Sequence, residues 1–189
     1  MKKIAYILAF LFAGSANAIV IDFQSLEHND SLNVDHGFQY IEDGFQIDEL
    51  SANQGLHTFG TSESRYTGST ALFNDTVGGI TELTDLGGSV FDLISIDLAE
   101  LNRSSVADIT FMTNGGHSQT FTLDGVAFSA ETFLFDSGFL GVSSVTWTQD
   151  SPFHQFDNIV INEVPEPASI VLLGLGLIGM SSLRKKKVV

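Results

Sequence analysis

The sequence predicts an all-β fold, an antiparallel two-sheet sandwich of jelly-roll type, and three observations predict it. Short runs rich in Phe, Ile, Val and Thr recur along the chain, several with strict apolar–polar alternation. Glycine-containing turn signals separate them: Asp43-Gly44, Gly78-Gly79, Gly87-Gly88, Asn114-Gly115-Gly116 and Asp124-Gly125. No stretch of the body sustains a 3.6-residue period, so no amphipathic helix is expected there.

The runs follow in order. "IVIDFQ" opens the body at Ile19, and "GFQYI" and "GFQID" flank the Asp43-Gly44 turn as a hairpin. Residues 49–70, "ELSANQGLHTFGTSESRYTGST", are polar and irregular and predict a long surface loop. "TALFN" and "GITELT" resume the strands, and "VFDLISIDLAE" is the longest. "VADITFMT" and "SQTFTL" surround Asn114-Gly115-Gly116 as a second hairpin. "ETFLFD", "SVTWTQ" and "FDNIVIN" complete the set. Such closely spaced strands suit two packed sheets.

The two ends have a different character. "MKKIAYILAFLFAGSANA" has Lys2 and Lys3, an apolar run from Ile4 to Ala13, and small residues Ala16 and Ala18 in the pattern that signal peptidase accepts. It reads as a secretory signal peptide over residues 1–18, cleaved after Ala18. The C-terminal residues 164–189 hold Pro165-Glu166-Pro167, an apolar segment 168–183 and the basic run Arg184, Lys185, Lys186 and Lys187. As a helix the apolar segment would reach about 24 Å, short for a hydrocarbon core of about 30 Å. Gly174, Gly176 and Gly179 weaken it further. The basic run would stay in the cytoplasm, leaving the body outside. The prolines favour an extended backbone around Glu166, the form a protease needs.

This order of tripeptide, glycine-rich apolar span and basic end resembles the PEP-CTERM sorting signal. The resemblance implies export in a bacterium with two membranes that makes extracellular polysaccharide and biofilm. It implies recognition by exosortase, a membrane cysteine transpeptidase, at Pro165, Glu166 and Pro167. The precursor would sit in the inner membrane transiently, and the mature form would be at the cell surface or outside the cell.

Between the ends lie residues 19–163, one domain long enough to bury its own core. There are no cysteines, so no disulfide staples it. Only Arg65 and Arg103 are basic there, against 22 acids, a formal charge of −20. Phosphate contacts need Lys and Arg, so nucleic acid is excluded as a partner. The field favours solubility and cations.

Catalytic motifs are missing or broken. "SIDLAE" resembles the Glu-x-Asp-x-x-Glu strand of laminarinase-type hydrolases, with Asp97 and Glu100 at its second and third positions. Ser95 stands where the nucleophilic carboxylate belongs, so the polysaccharide-hydrolase reading loses its essential residue. The five histidines, His28, His36, His57, His117 and His154, lack zinc-ligand spacing. Gly-x-Ser-x-Gly is absent from the sequence. The expectation is a non-catalytic protein of the matrix.

"SIDLAE", "TFTLDG", "SVTWTQ" and "FDNIVIN" also resemble, loosely, PEP-CTERM cargo domains and sandwich carbohydrate-binding modules. That resemblance implies two alternatives, a structural protein and a lectin-like module. It also implies a structural calcium ion between Asp157 on the last strand and Asp22 on the first; solvated carboxylates explain both residues equally. Trp147 alternates with Thr146 and Thr148 and belongs to the core, so Tyr66 in the polar loop is the candidate sugar-stacking platform.

Overall fold

The computed structural model describes residues 18–102, 106–126 and 128–164. Most of the expected signal peptide, including Ala16, lies outside the described residues, as do Pro165, Glu166, Pro167, the apolar segment 168–183 and Arg184 to Lys187. Among the described residues no helix is long and apolar enough to cross a membrane.

The body is the expected antiparallel sandwich. Its strands are β1 (Ala18–Ile21), β2 (Asn33–Asp35), β3 (Gln39–Glu42), β4 (Phe45–Glu49), β5 (Leu56–Phe59), β6 (Leu72–Asn74) and β7 (Gly79–Asp85). They continue as β8 (Phe91–Glu100), β9 (Asp108–Thr113), β10 (Ser118–Thr122), β11 (Glu131–Leu134), β12 (Ser144–Gln149) and β13 (His154–Glu163). One sheet runs β11-β8-β13-β6-β5-β2, with β1 also paired to β13; the other runs β10-β9-β12-β7-β4-β3.

The apolar positions of the alternating runs meet between the sheets. Phe45 and Ile47 of β4, Phe111 of β9, Val145 and Trp147 of β12 and Phe156 of β13 are all buried there. Trp147 packs edge-on against Phe156 across the sandwich, with ring centroids 5.0 Å apart. The indole is 2% exposed, so alternation along "SVTWTQ" places it in the core. Burying each such ring removes about 2–3 kcal/mol of unfavourable hydration.

The expected loop over 49–70 is corrected in part. Residues 56–59 form β5, which pairs with β6 on one side and β2 on the other. Leu56 fills the core between the sheets, while Phe59 points to the opposite face. His57 and Thr58 made "LHTF" look polar, yet Thr58 is buried against a histidine: its hydroxyl lies 2.8 Å from His36 Nε2. The strand Asn33–Asp35 is shorter still, at three residues, and is not among the expected runs. Irregular chain therefore remains in the turn after β4 and from Gly60 to Thr70.

Candidate functional site: the covered outer face of the first sheet

β5 and β6 present alternate residues to the two faces of their sheet. Leu56 and Leu72 turn inward; Phe59 and Phe73 turn outward and stack face to face, 4.7 Å between centroids and 14° between planes. Leu101 and Phe153 join them in a second apolar cluster, separate from the main core. A backbone bond from the Leu101 N–H to the Phe153 carbonyl ties the two flanking loops together.

The chain after β5 lies over this face. Gly60 makes the turn possible, because a Cβ there would collide with the Asp30 carbonyl and the His28 ring. Thr61 and Ser62 then donate backbone bonds to the carbonyls of His28 and Asp30. Further along, the Gln155 side chain on β13 donates to the Arg65 carbonyl at 3.0 Å. The Arg65 guanidinium carbon sits 4.2 Å from the centre of the Phe59 ring, and its Nε donates to Glu63 at 3.0 Å.

A cleft of about 220 Å3 opens beside this group. Its floor is Phe59, Phe73, Leu101 and Phe153, and its rim is Asn33, Arg65, Asp75 and Asn102. The rim supplies amide donors and acceptors, a guanidinium and a carboxylate. Apolar rings under convergent polar groups can hold a ring-shaped, hydroxyl-rich molecule.

A second group lies on the same face. Asp97 of β8 and Asp157 of β13 are direct cross-strand partners. The ladder is irregular just after Asp157, and Asn158 takes a left-handed backbone with φ 45°. Its side-chain amide donates to Asp97 at 2.8 Å and to Asp157 at 3.4 Å, and its N–H donates to Asp157 at 2.7 Å. Burial pushes the Asp157 carboxyl up to about 6; the Ser69 hydroxyl and the Asn158 N–H oppose this, and Asp97 and Asp22 add to it. Asp22 follows β1, whose Ile21 pairs with Ile159. Asp22 thus lies just past the end of β1, the strand paired with the β13 that carries Asp157. Among the described residues no three His, Cys, Asp or Glu side chains are grouped to hold a metal ion.

The broken hydrolase motif is separated further by the fold. Asp97 faces outward, where the Thr132 hydroxyl donates to it at 2.5 Å. Glu100 is three residues on, follows Leu98 on the inward side and is 1% exposed. The two carboxyls therefore lie on opposite sides of β8 and cannot flank one glycosidic bond.

Tyr66 lies in the covering segment, half-buried, with its hydroxyl donating to Glu27 at 3.4 Å. It does not line the cleft, whereas its neighbour Arg65 does. The aromatic floor is not among the sequence expectations, because Phe59 falls inside the segment read as a loop and Phe73 and Phe153 are given no side of a sheet. The signal was present in "HTF" and "LFN", where alternation puts the Phe opposite to Leu56 and Leu72.

The histidines are dispersed. His57 bonds Asn33 and the Gln54 carbonyl, and His117 bonds Asp136. Burial pushes His154 down to about 3, so its ring is neutral. It lines a cleft of about 530 Å3 with Val77, Asp108, Asp150 and Pro152 among its walls, but without Phe, Tyr or Trp. That larger cleft lacks a stacking surface.

Residues 163–187 match the PEP-CTERM protein-sorting motif. The chain therefore carries the export and sorting signal that its C-terminal sequence resembles, and the motif implies an anchor that is cleaved. No curated protein matches the chain. Among solved structures, a family 29 carbohydrate-binding module from Piromyces equi is similar at 11% identity and TM-score 0.42, over 79% of this chain and 92% of that one. A second family 29 module is 13% identical, with TM-score 0.42 over 78% of this chain and 89% of that one. A substituted family 29 module is 14% identical, with TM-score 0.43 over 81% and 99%. Scores this low carry no inference about what this chain binds.

Proposed function

We propose that this protein is an exported, non-catalytic module that holds extracellular polysaccharide in the cleft over β5 and β6. The observation that carries the reading is the composition of that cleft: an apolar, largely aromatic floor inside a rim of Asn33, Arg65, Asp75 and Asn102. Sugar rings have an apolar face that packs on aromatic carbon and hydroxyls that amides and carboxylates bind. The sorting motif supports the location. In this reading exosortase acts at Pro165, Glu166 and Pro167, signal peptidase acts after Ala18, and residues 19–163 remain as the mature domain at the cell surface or in the biofilm matrix.

The test is affinity electrophoresis of the full chain, in detergent, through gels containing the producing cells' own polysaccharide, with sugar release assayed in parallel. Retardation without release is expected, and Phe153→Ala should weaken it by about tenfold, the loss of one stacked ring. Release of sugar that disappears on Asp97→Asn would overturn the non-catalytic reading. No retardation at all would leave a structural protein acting through its acidic surface.

Calcium at Asp22 and Asp157 belongs to the same proposal as a stabilising ion. A divalent cation there would offset the burial of the Asp157 charge beside Asp97 and Asp22. Millimolar calcium should raise the Tm of the full chain and chelator should reverse it. A Tm that calcium leaves unchanged removes the site.

A further inference from the structure

We infer that the Arg65 side chain is a removable cover on Phe59 of the Phe59–Phe73 pair, so that this ring is closed to stacking until a sugar in the cleft displaces the guanidinium. The inference rests on the polysaccharide reading above and adds how that site is controlled.

A phenyl ring offers two faces. Phe73 occupies one face of Phe59 by stacking at 4.7 Å, and Arg65 lies 4.2 Å over the ring. The two cannot share a face, so both faces of Phe59 are filled and the residue is 3% exposed. Phe73 is 2% exposed and is itself flanked by His57, 5.7 Å away. The rings best placed to stack a sugar are therefore shut off, and the guanidinium is the group that shuts off Phe59. It is also the part able to move. Its side chain is 43% exposed, and among the described residues its polar tether is the 3.0 Å contact of Nε with Glu63, which itself lies on the covering segment. The backbone beneath is fixed by the Gln155 bond to the Arg65 carbonyl and by Tyr66 N–H donating to the Glu63 carbonyl at 3.1 Å. Swinging the side chain away thus leaves the segment in place and opens the Phe59 face into the existing cleft.

The consequence has an unusual sign. A residue that only contacts ligand weakens binding when it is removed; a cover that competes with ligand strengthens it. The guanidinium over the ring is a cation–π contact, and the sugar must give up that contact to stack.

The experiment compares the full chain with Arg65→Ala and Glu63→Gln on the producing cells' polysaccharide by affinity electrophoresis, with near-UV circular dichroism confirming that each variant is folded. Arg65→Ala should bind roughly two- to fivefold more tightly, the range an exposed cation–π contact corresponds to. Glu63→Gln loosens the tether and should shift affinity in the same direction by less. Binding by Arg65→Ala where the wild type binds nothing also supports the cover. Weaker binding by Arg65→Ala makes Arg65 a ligand contact and overturns the inference alone, as does unchanged binding. Absence of binding in all three proteins overturns the polysaccharide reading and the cover with it.

Discussion

The outer faces of the two sheets come from the same kind of sequence and end in opposite states. The second sheet turns threonines outward: Thr110 meets Thr120 at 2.8 Å, and Thr146 faces Met112 and Glu82 across the strands. None of the outward positions on its strands is aromatic, and several of them, Ile41, Ile80 and Met112 among them, are exposed. The first sheet turns Phe59, Phe73, Asp97 and Asp157 outward, and residues 60–70 lie over it. Alternation decides which residues face out on each sheet. What differs is that one face was given groups that need a covering, and the loop supplies it while leaving a cleft at its margin.

The largest effect that can break this comparison is on stability. Phe73→Ala removes a ring that is 2% exposed and stacked on Phe59. It should cost about 3–5 kcal/mol, as for a core phenylalanine. Thr148→Ala, outward on β12, should stay within about 0.5 kcal/mol. Urea unfolding of the two variants measures both. Equal losses would mean that the covered face is no second core and that its cleft is incidental.

The sandwich was legible because its signal is local. Period two and glycine turns act within a strand, and each of the eleven expected runs holds a strand. Trp147 could be placed in the core for the same reason. The site was not legible because it is assembled from five segments far apart in sequence. Asn33, Phe59 and Arg65, Phe73 and Asp75, Leu101 and Asn102, and Phe153 meet only through strand pairing. Burial also misled: Phe59 and Phe73 are apolar enough for a core, and composition cannot say which side of a sheet they take. Asp22 and Asp157 are paired by resemblance, and the β1–β13 ladder, which ends at Ile21 and Ile159, leaves Asp22 just past β1; the calcium titration tests what the two hold.

A middle-sized effect sharpens the contrast through pH. The folded Asp157 carboxyl titrates at about 6, above the ordinary value near 3.9 for an unfolded chain. Between about pH 4 and 6 the folded protein therefore binds more protons than the unfolded one. Stability falls as pH rises through that window and then levels off. A raised pKa of this size corresponds to about 2–3 kcal/mol. Other carboxylates titrate in the same range, so the measured quantity is the difference between wild type and Asp157→Asn. Urea midpoints from pH 4 to 7 should fall more steeply in the wild type. Parallel curves would mean that Asp157 is solvated and that the cover does not dry this face.

The smallest effect tests the face that has been given no role. Thr110 and Thr120 are cross-strand partners on exposed strands, with their hydroxyls 2.8 Å apart. Such a pair contributes about 0.2–1 kcal/mol, and water competes for both hydroxyls. A double-mutant cycle to alanine should give a coupling near the low end of that range. The double variant should also bind polysaccharide as the wild type does, because neither residue comes near Phe59 or Arg65. That second reading matters more than the first. Rows of hydroxyls on a flat sheet could themselves lie along a sugar chain. If removing two of them weakens binding while Phe153→Ala does not, the ligand sits on the uncovered sheet, and the aromatic cleft is only the packing that secures the loop.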